Sequence, residues 1–262
     1  MIMPAMTMLR SVACLLLPCL LTACGSSGKN AFADWPAERL YAEAKGALQS
    51  GNYEQAKEMY TALESRSPFG AYGQQALLDL AYLYYKSEES DNAIDTCDRF
   101  IKRYPQHPHV DYAYYLRGLA NFYRGGGLAD RYLRLDASQR DPASKLQAFE
   151  YFAELRRKFP DSKYAPDAGQ HMVYLRNILA KHEISVANYY LNRGAYLAAA
   201  NRAQYVVQHY PRTPSTPMAL AIMARAYKVL ELEELSRDAL RVLRLNYPQS
   251  KEIAEIERIR IK

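Results

Sequence analysis

Five prolines phase this chain. Pro68, Pro105, Pro160, Pro211 and Pro248 each stand twelve residues after a small side chain, at Ala56, Ala93, Ala148, Ala199 and Ser236. Four residues beyond each small one come Tyr60, Cys97, Phe152, Ala203 and Leu240, and three further come Leu63, Phe100, Leu155, Val206 and Leu243. A small residue followed by apolar ones at i+4 and i+7 is one stripe of an α-helix, and a proline a turn later ends that helix. Four of the prolines follow an aromatic residue (Tyr104, Phe159, Tyr210, Tyr247). A pattern that returns five times leaves little room for anything but stacked helical units.

A second helix precedes each of these. Counting back another twelve residues reaches Ala44, Ala81, Ala187 and Ala224, and Gly118 is the corresponding small residue of the third unit. Two small residues on consecutive helices allow those helices to lie close as an antiparallel pair. Gly51-Asn52-Tyr53 and Gly194-Ala195-Tyr196 mark two of the turns between them. This is the pattern of a tetratricopeptide repeat, in which helices A line a concave face and each pair buries its core against its neighbours. The expected fold is an all-α solenoid of five helix pairs. The proline spacings are 37, 55, 51 and 37 residues. The third repeat therefore carries an insertion, the glycine-rich, charged segment 124–141. The fourth carries helical periodicity over 165–179 (Met172, Leu175, Ile178, Leu179), expected as an extra helix or an extended helix A. Strand alternation and Asn-Gly hairpin signals are absent.

The N-terminus sets the compartment. Arg10 precedes the apolar run Val12–Leu21, and Leu21-Thr22-Ala23-Cys24 closes it. The run is too short to span a bilayer and has the form of an export signal. A cysteine directly after Thr-Ala makes it a lipoprotein signal, with residues 1–23 removed, Cys24 acylated, and 24–35 a linker to a repeat domain over 36–262. Several acyl chains anchor a protein stably where one does not. Gly25 rather than Asp after the cysteine favours the outer membrane. Cys14 and Cys19 leave with the signal, so Cys97 remains as a buried apolar residue and no intramolecular disulfide forms.

The net charge of +6 carries no dense basic run, and with export this excludes nucleic acid as a partner. Catalytic motifs are missing: there is no His-Glu-x-x-His, Gly-x-Ser-x-Gly or phosphate loop. His107-x-His109 has too few ligands for a metal site. No cofactor, metal or catalytic residue is expected, and an enzyme acting on cell wall would need a pair of carboxylates facing one cleft. The 23 tyrosines outnumber the seven phenylalanines. Helix-A positions expected to face the groove are Glu38, Tyr41, Lys45, Leu48 and Gln49, then Gln75, Leu78, Tyr82, Tyr85 and Lys86, then Tyr112, Tyr115, Leu119, Phe122 and Tyr123. Tyrosine rings with lysines suit an extended peptide and its carboxylate. Repeats four and five offer a less aromatic groove (Ile184, Asn188, Leu191) and polar features at Asn192-Arg193-Gly194 and Asn201-Arg202.

Over the whole chain after Cys24, the sequence resembles the BamD (ComL) family of outer-membrane assembly lipoproteins. The resemblance rests on Arg66-Ser67-Pro68-Phe69-Gly70, Leu78-Asp79-Leu80, Tyr84-Tyr85-Lys86, His107-Pro108, Asp111-Tyr112 and Arg117-Gly118-Leu119. It extends through Asp136, Arg140-Asp141-Pro142, Leu179-Ala180-Lys181, Ser185-Val186-Ala187, Tyr189-Tyr190, Arg193-Gly194-Ala195 and Asn201-Arg202. It implies a non-enzymatic scaffold on the periplasmic face of the outer membrane. The C-terminal repeats (161–262) would hold the barrel-forming subunit, with Arg193 and Arg202 at that interface and Arg202 facing an acidic residue. The N-terminal repeats (36–160) would receive unfolded outer-membrane proteins by a C-terminal signal ending in an aromatic residue and a carboxylate. The substrate groove would then comprise Tyr41, Lys45, Gln75, Tyr82, Tyr85, Lys86, Tyr112, Tyr115, Phe122 and Tyr123, and other assembly lipoproteins would dock alongside. Ser67 departs from the aromatic expected before Pro68, and segment 124–135 is divergent. A secretin pilotin or a coordinator of cell-wall synthesis would share the anchor and the fold without the Arg193/Arg202 interface.

Overall fold

The computed structural model describes residues 32–125 and 142–258. The signal segment, Cys24, most of the 124–141 insertion and the four terminal residues lie outside the described residues. The chain divides into two units, Met1–Pro36 and Ala37–Lys262. In the first, the Trp35 N–H donates to the Phe32 carbonyl at 3.1 Å and the two rings meet edge to face at 5.5 Å.

The second unit has eleven helices and no strand among the described residues. They are α1 (Ala37–Gln49), α2 (Tyr53–Arg66), α3 (Ala71–Lys86), α4 (Ser90–Arg103), α5 (Val110–Phe122), α6 (Ala143–Lys158), α7 (Ala165–Asn192), α8 (Tyr196–His209), α9 (Thr216–Val229), α10 (Glu233–Asn246) and α11 (Glu252–Arg258). The first ten form five consecutive pairs, each helix packing on the next, and helices α1 and α3, α3 and α5, and α7 and α9 touch as well. The all-α repeat solenoid expected from the sequence is the observed fold. Periodicity over 165–179 extends helix A rather than adding one, for α7 runs unbroken through 28 residues, with Pro166 in the first turn where its missing N–H costs nothing.

The proline phasing has a uniform physical cause. Every second helix of a pair ends one residue before its proline, at Ser67, Tyr104, Phe159, Tyr210 and Tyr247. These caps have φ between −146° and −125° and ψ between 49° and 66°. A proline ring excludes the helical conformation from the residue before it, so the helix must stop there. Each cap N–H still closes on the carbonyl four residues back. Ahead of each proline the small residue is fully buried, and Tyr60, Cys97, Phe152, Ala203, Leu63, Phe100, Leu155, Val206 and Leu243 are buried with it. Leu240 is half-buried, packed against the last cluster. Cys97 is a free thiol whose pKa burial pushes up.

The turns inside the pairs are equally regular. Asn52, Glu89, Ala195 and Leu232 each donate their N–H to the carbonyl five residues back, and the residue before each is left-handed. That is a common helix ending, in which glycine avoids the Cβ clash. Gly51 and Gly194 fill it with φ of 80° and 73°, whereas Glu88 and Glu231 adopt 63° and 62°. Only the two glycine turns were legible in the sequence. Beyond the fifth pair, α11 lays Ile256 into the cluster of Leu220, Ala224 and Leu243, and closes an otherwise open end of the core. The five-fold residue pattern of the sequence does not reach this segment.

Two glycines are required for different reasons, one steric and one conformational. A Cβ on Gly118 would sit 2.5 Å from the ring of fully buried Phe152, while one on Gly194 would meet nothing within 4 Å. Gly118→Ala is expected to cost about 1–3 kcal/mol by overpacking, and Gly194→Ala about 1–2 kcal/mol through its dihedral alone. Gly46→Ala, on an open helical position, should be neutral or stabilising. Denaturant midpoints of the three variants check this ranking.

Candidate binding site

Helices α1 and α3 carry their polar and aromatic residues at helical spacing on facing surfaces. Tyr41, Lys45, Leu48 and Gln49 repeat at i, i+4 and i+7/i+8 on α1. Gln75, Asp79, Tyr82 and Lys86 repeat at i, i+4, i+7 and i+11 on α3. With Gly51, Tyr53 and Tyr60 they line a cleft of about 560 Å³. The Tyr41 hydroxyl donates to Asp79 Oδ2 at 2.7 Å and the Gln75 amide donates to Asp79 Oδ1 at 2.8 Å. The acid thereby joins the two helices. Tyr41 also packs on Tyr72 at 5.5 Å and on Tyr60 at 6.2 Å.

Asp79, which lies outside the groove positions expected from the sequence, is the electrostatic centre of the cleft. Its alignment with Gln75, Tyr82 and Lys86 on one helical stripe was the available signal. Burial raises its carboxyl pKa above the ordinary range; hydrogen bonds from Tyr41 and Gln75 and the charge of Lys45 oppose this and do not cancel it. Burial first, and then Asp79, push the phenols of Tyr41 and Tyr60 up, so both keep their protons as donors.

The aromatic surface continues past the cleft. Tyr82 meets Tyr85 at 6.3 Å, and Tyr85 meets Tyr123 at 6.2 Å across to the end of α5. At the other end Tyr41, Tyr72, Gln74 and Gln75 share a second depression of about 490 Å³ with His107, Pro108 and His109. The sequence had not singled out Tyr72. The His107 Nδ1 accepts from the His109 N–H at 3.1 Å, and burial lowers the His107 pKa.

Other expected groove residues are occupied differently. Leu78 is buried in the core with Leu77 and Phe100, so its assignment to the groove is corrected. It lies one residue from Asp79, on the flank of α3 turned toward its partner helix. Tyr112 is half-buried and tilts on Tyr164 at 5.3 Å. Tyr115 stacks on the same ring at 4.8 Å and donates to Asp167 Oδ2 at 2.5 Å. Phe122 packs edge-on against His171 at 4.5 Å. These three rings lean on the start of the fourth repeat, whereas Tyr41, Lys45, Gln75, Tyr82 and Lys86 share one cleft.

Arg193 and Arg202 lie apart from that cleft. The Arg193 guanidinium sits over the Tyr189 ring at 4.7 Å in the α7–α8 turn. Arg202, on α8, reaches Glu183 of α7 at 3.2 Å with its side chain half exposed. Leu197, Asn201, Arg202 and Tyr205 are exposed along one side of α8. A third arginine is structural. Arg117 is buried and bonds Asp98 of α4 and Glu154 of α6, both at 2.5 Å, with its plane over the Tyr151 ring at 4.1 Å. Lys158 adds a bond to Glu154 at 2.9 Å and donates to the Tyr114 hydroxyl at 2.8 Å. Among the described residues, no group of three His, Cys, Asp or Glu side chains is placed to hold a metal ion. No described helix is long and apolar enough to cross a membrane.

Comparison with known proteins adds to this geometry. A family model described as YfiO, outer membrane lipoprotein, matches residues 33–243. The outer membrane protein assembly factor BamD of Neisseria meningitidis serogroup B is 46% identical over 235 residues, covering 88% of each chain. The protein of the same name from Xylella fastidiosa is 38% identical over 230 residues, covering 87% of this chain and 78% of that one. The one from Vibrio cholerae is 37% identical over 227 residues, covering 87% and 94%.

The Arg117 cluster makes stability depend on acid. Burial pushes the Glu154 carboxyl up, but the Lys158 hydrogen bond and the Arg117 charge outweigh it, and the net shift is downward from 4.5. A depressed carboxyl stabilises the fold above its unfolded pKa and loses that contribution as pH falls through the folded value. Glu154→Gln should cost about 1–2 kcal/mol at neutral pH. It should also show a shallower loss of stability below pH 4.5 than the parent chain, read from denaturant midpoints across pH 3–7.

Proposed function

The chain belongs to the BamD family of outer-membrane protein assembly factors, and from that premise we propose that it is a lipid-anchored scaffold with two working faces. Acyl chains on Cys24 hold it at the periplasmic side of the outer membrane. The first repeats receive the C-terminal segment of an unfolded outer-membrane protein, and the last repeats hold the barrel-forming subunit. It acts by binding, not by catalysis.

The observation that carries the first role is the cleft between α1 and α3. Tyrosine rings form its walls, and Lys45 and Lys86 stand at its edge with no ion-pair partner among the described residues. An extended chain places alternate side chains on opposite sides, so an aromatic residue near its end can stack on Tyr82 or Tyr41 while its carboxylate meets a lysine. Support for the second role is the exposed side of α8. Arg202 there pairs with Glu183, and a half-exposed ion pair of this kind is weak enough for an incoming acid to compete with it. Leu197 and Tyr205 supply apolar area on either side. Arg193 stands in the turn that begins the same helix.

Two measurements test these roles. Tyr82→Ala combined with Lys86→Ala should weaken binding of a fluorescent peptide ending in phenylalanine about tenfold, with helicity retained; equal affinity for the variant and the parent would remove the cleft from substrate binding. Arg202→Glu should reduce co-purification of the barrel-forming subunit from detergent-solubilised outer membrane. Undiminished recovery would take Arg202 out of that interface, and recovery of a secretin or a cell-wall synthase instead would favour a different adaptor role.

A further inference from the structure

Tyr60 is fully buried, and its hydroxyl makes no hydrogen bond of ordinary length; Asp79 is its polar neighbour, at a longer reach. It nonetheless lines the α1–α3 cleft, next to the Asp79 carboxylate. Burying a polar group without a close partner is costly, so a hydroxyl held by a long contact to Asp79 at the bottom of an open cleft is free to turn to a nearer acceptor. Asp79 is in a similar position. Its two oxygens offer about four acceptor sites, and Tyr41 and Gln75 fill two of them. Lys45 is close enough for its charge to act on Asp79. The cleft thus sets a carboxylate with spare acceptor capacity, a hydroxyl with no close partner and an ammonium group side by side.

That combination narrows the occupant. A lysine or arginine side chain would satisfy Asp79 but be repelled by Lys45 and Lys86. A bare anion would satisfy the lysines but be repelled by Asp79. The terminal residue of a polypeptide has a carboxylate and, about 2.5 Å from its carbon, a backbone N–H donor. We propose that the floor of the cleft is a subsite for that residue. Asp79 accepts its N–H, Lys45 meets its carboxylate, and the Tyr60 hydroxyl donates to one carboxylate oxygen. Asp79 is then the residue that distinguishes a chain end from an internal segment or a small acid. This inference rests on the reading of the cleft as the site that receives a chain terminus.

Three peptides ending in phenylalanine separate the two claims: one ordinary, one with an ester in place of the last amide, and one with a C-terminal carboxamide. Binding to the purified full-length protein in detergent is followed by fluorescence anisotropy. The ester, which keeps the shape and lacks the N–H, should bind the parent chain about tenfold more weakly than the ordinary peptide. Asp79→Asn should weaken the ordinary peptide by a similar factor and leave the ester unchanged, with helicity retained. Lys45→Met should weaken the ordinary peptide and leave the carboxamide, which has no charge for it to meet, unchanged. If the ester binds the parent chain as tightly as the ordinary peptide, or if Asp79→Asn weakens both equally, the Asp79 subsite is overturned while the cleft stands as a peptide site. If the parent chain binds none of the three, the reading of the cleft fails and this proposal with it.

Discussion

Each helix pair in this chain has an apolar stripe that only its neighbours can cover, and the rest of the structure depends on that. The stripe of the second helix, from Ala56 to Leu63 in the first repeat and from Ser236 to Leu243 in the last, is buried between helices. Burial on this scale is worth about 25 cal/mol per Å² of apolar surface, and no single pair of roughly thirty residues gathers enough of it to stand alone. Small residues where helices cross set the spacing. Gly118 under Phe152 is one tight case, and it is also where the third repeat, carrying the insertion, must still keep the common geometry.

Polar ties then fix the order of units that hydrophobic contact alone would leave slippery. The Tyr104 hydroxyl donates to the Pro68 carbonyl at 2.5 Å, across one repeat boundary. Arg117 binds carboxylates on the helices before and after its own. Tyr115 and Asp167 tie the third repeat to the fourth. The Tyr41–Asp79 bond belongs to the same set, joining the first helices of two successive repeats, yet its carboxyl is held at a cost in solvation. A leucine at 79 would cover that position without the desolvation of a charge. That a carboxylate occupies it agrees with a use in recognition.

Much of the architecture could be read from residue spacing because prolines and small residues act locally. A proline stops its helix whatever surrounds it, so the ends at Tyr104, Phe159, Tyr210 and Tyr247 were legible. The left-handed turns at Glu88 and Glu231 were not, since glutamate has no particular affinity for that conformation and adopts it only because both flanking helices are already placed. Helix α11 was hidden for a related reason: seven residues with Ile253 and Ile256 have meaning only against the exposed end of a core. Offsets along helix A placed Tyr41, Lys45, Gln75, Tyr82 and Lys86 on one surface. They erred at Leu78, one residue off the stripe, and did not anticipate that Tyr112, Tyr115 and Phe122 would lean on Tyr164 and His171 of the following repeat. Those contacts link segments more than forty residues apart, which no local pattern encodes.

The length of α7 has a mechanical consequence. At about 1.5 Å per residue its 28 residues extend about 42 Å. No proline or glycine interrupts it after Gly169. Its first turns hold the rings of Tyr115, Phe122 and Phe152 through Asp167 and His171, and its later turns hold Arg202 through Glu183. A continuous hydrogen-bonded rod resists bending, so a push on the later turns is delivered to the earlier ones as tilt, not absorbed at a joint. Arg202 and the aromatic ledge are therefore held in a fixed relation, with no hinge between them to loosen it.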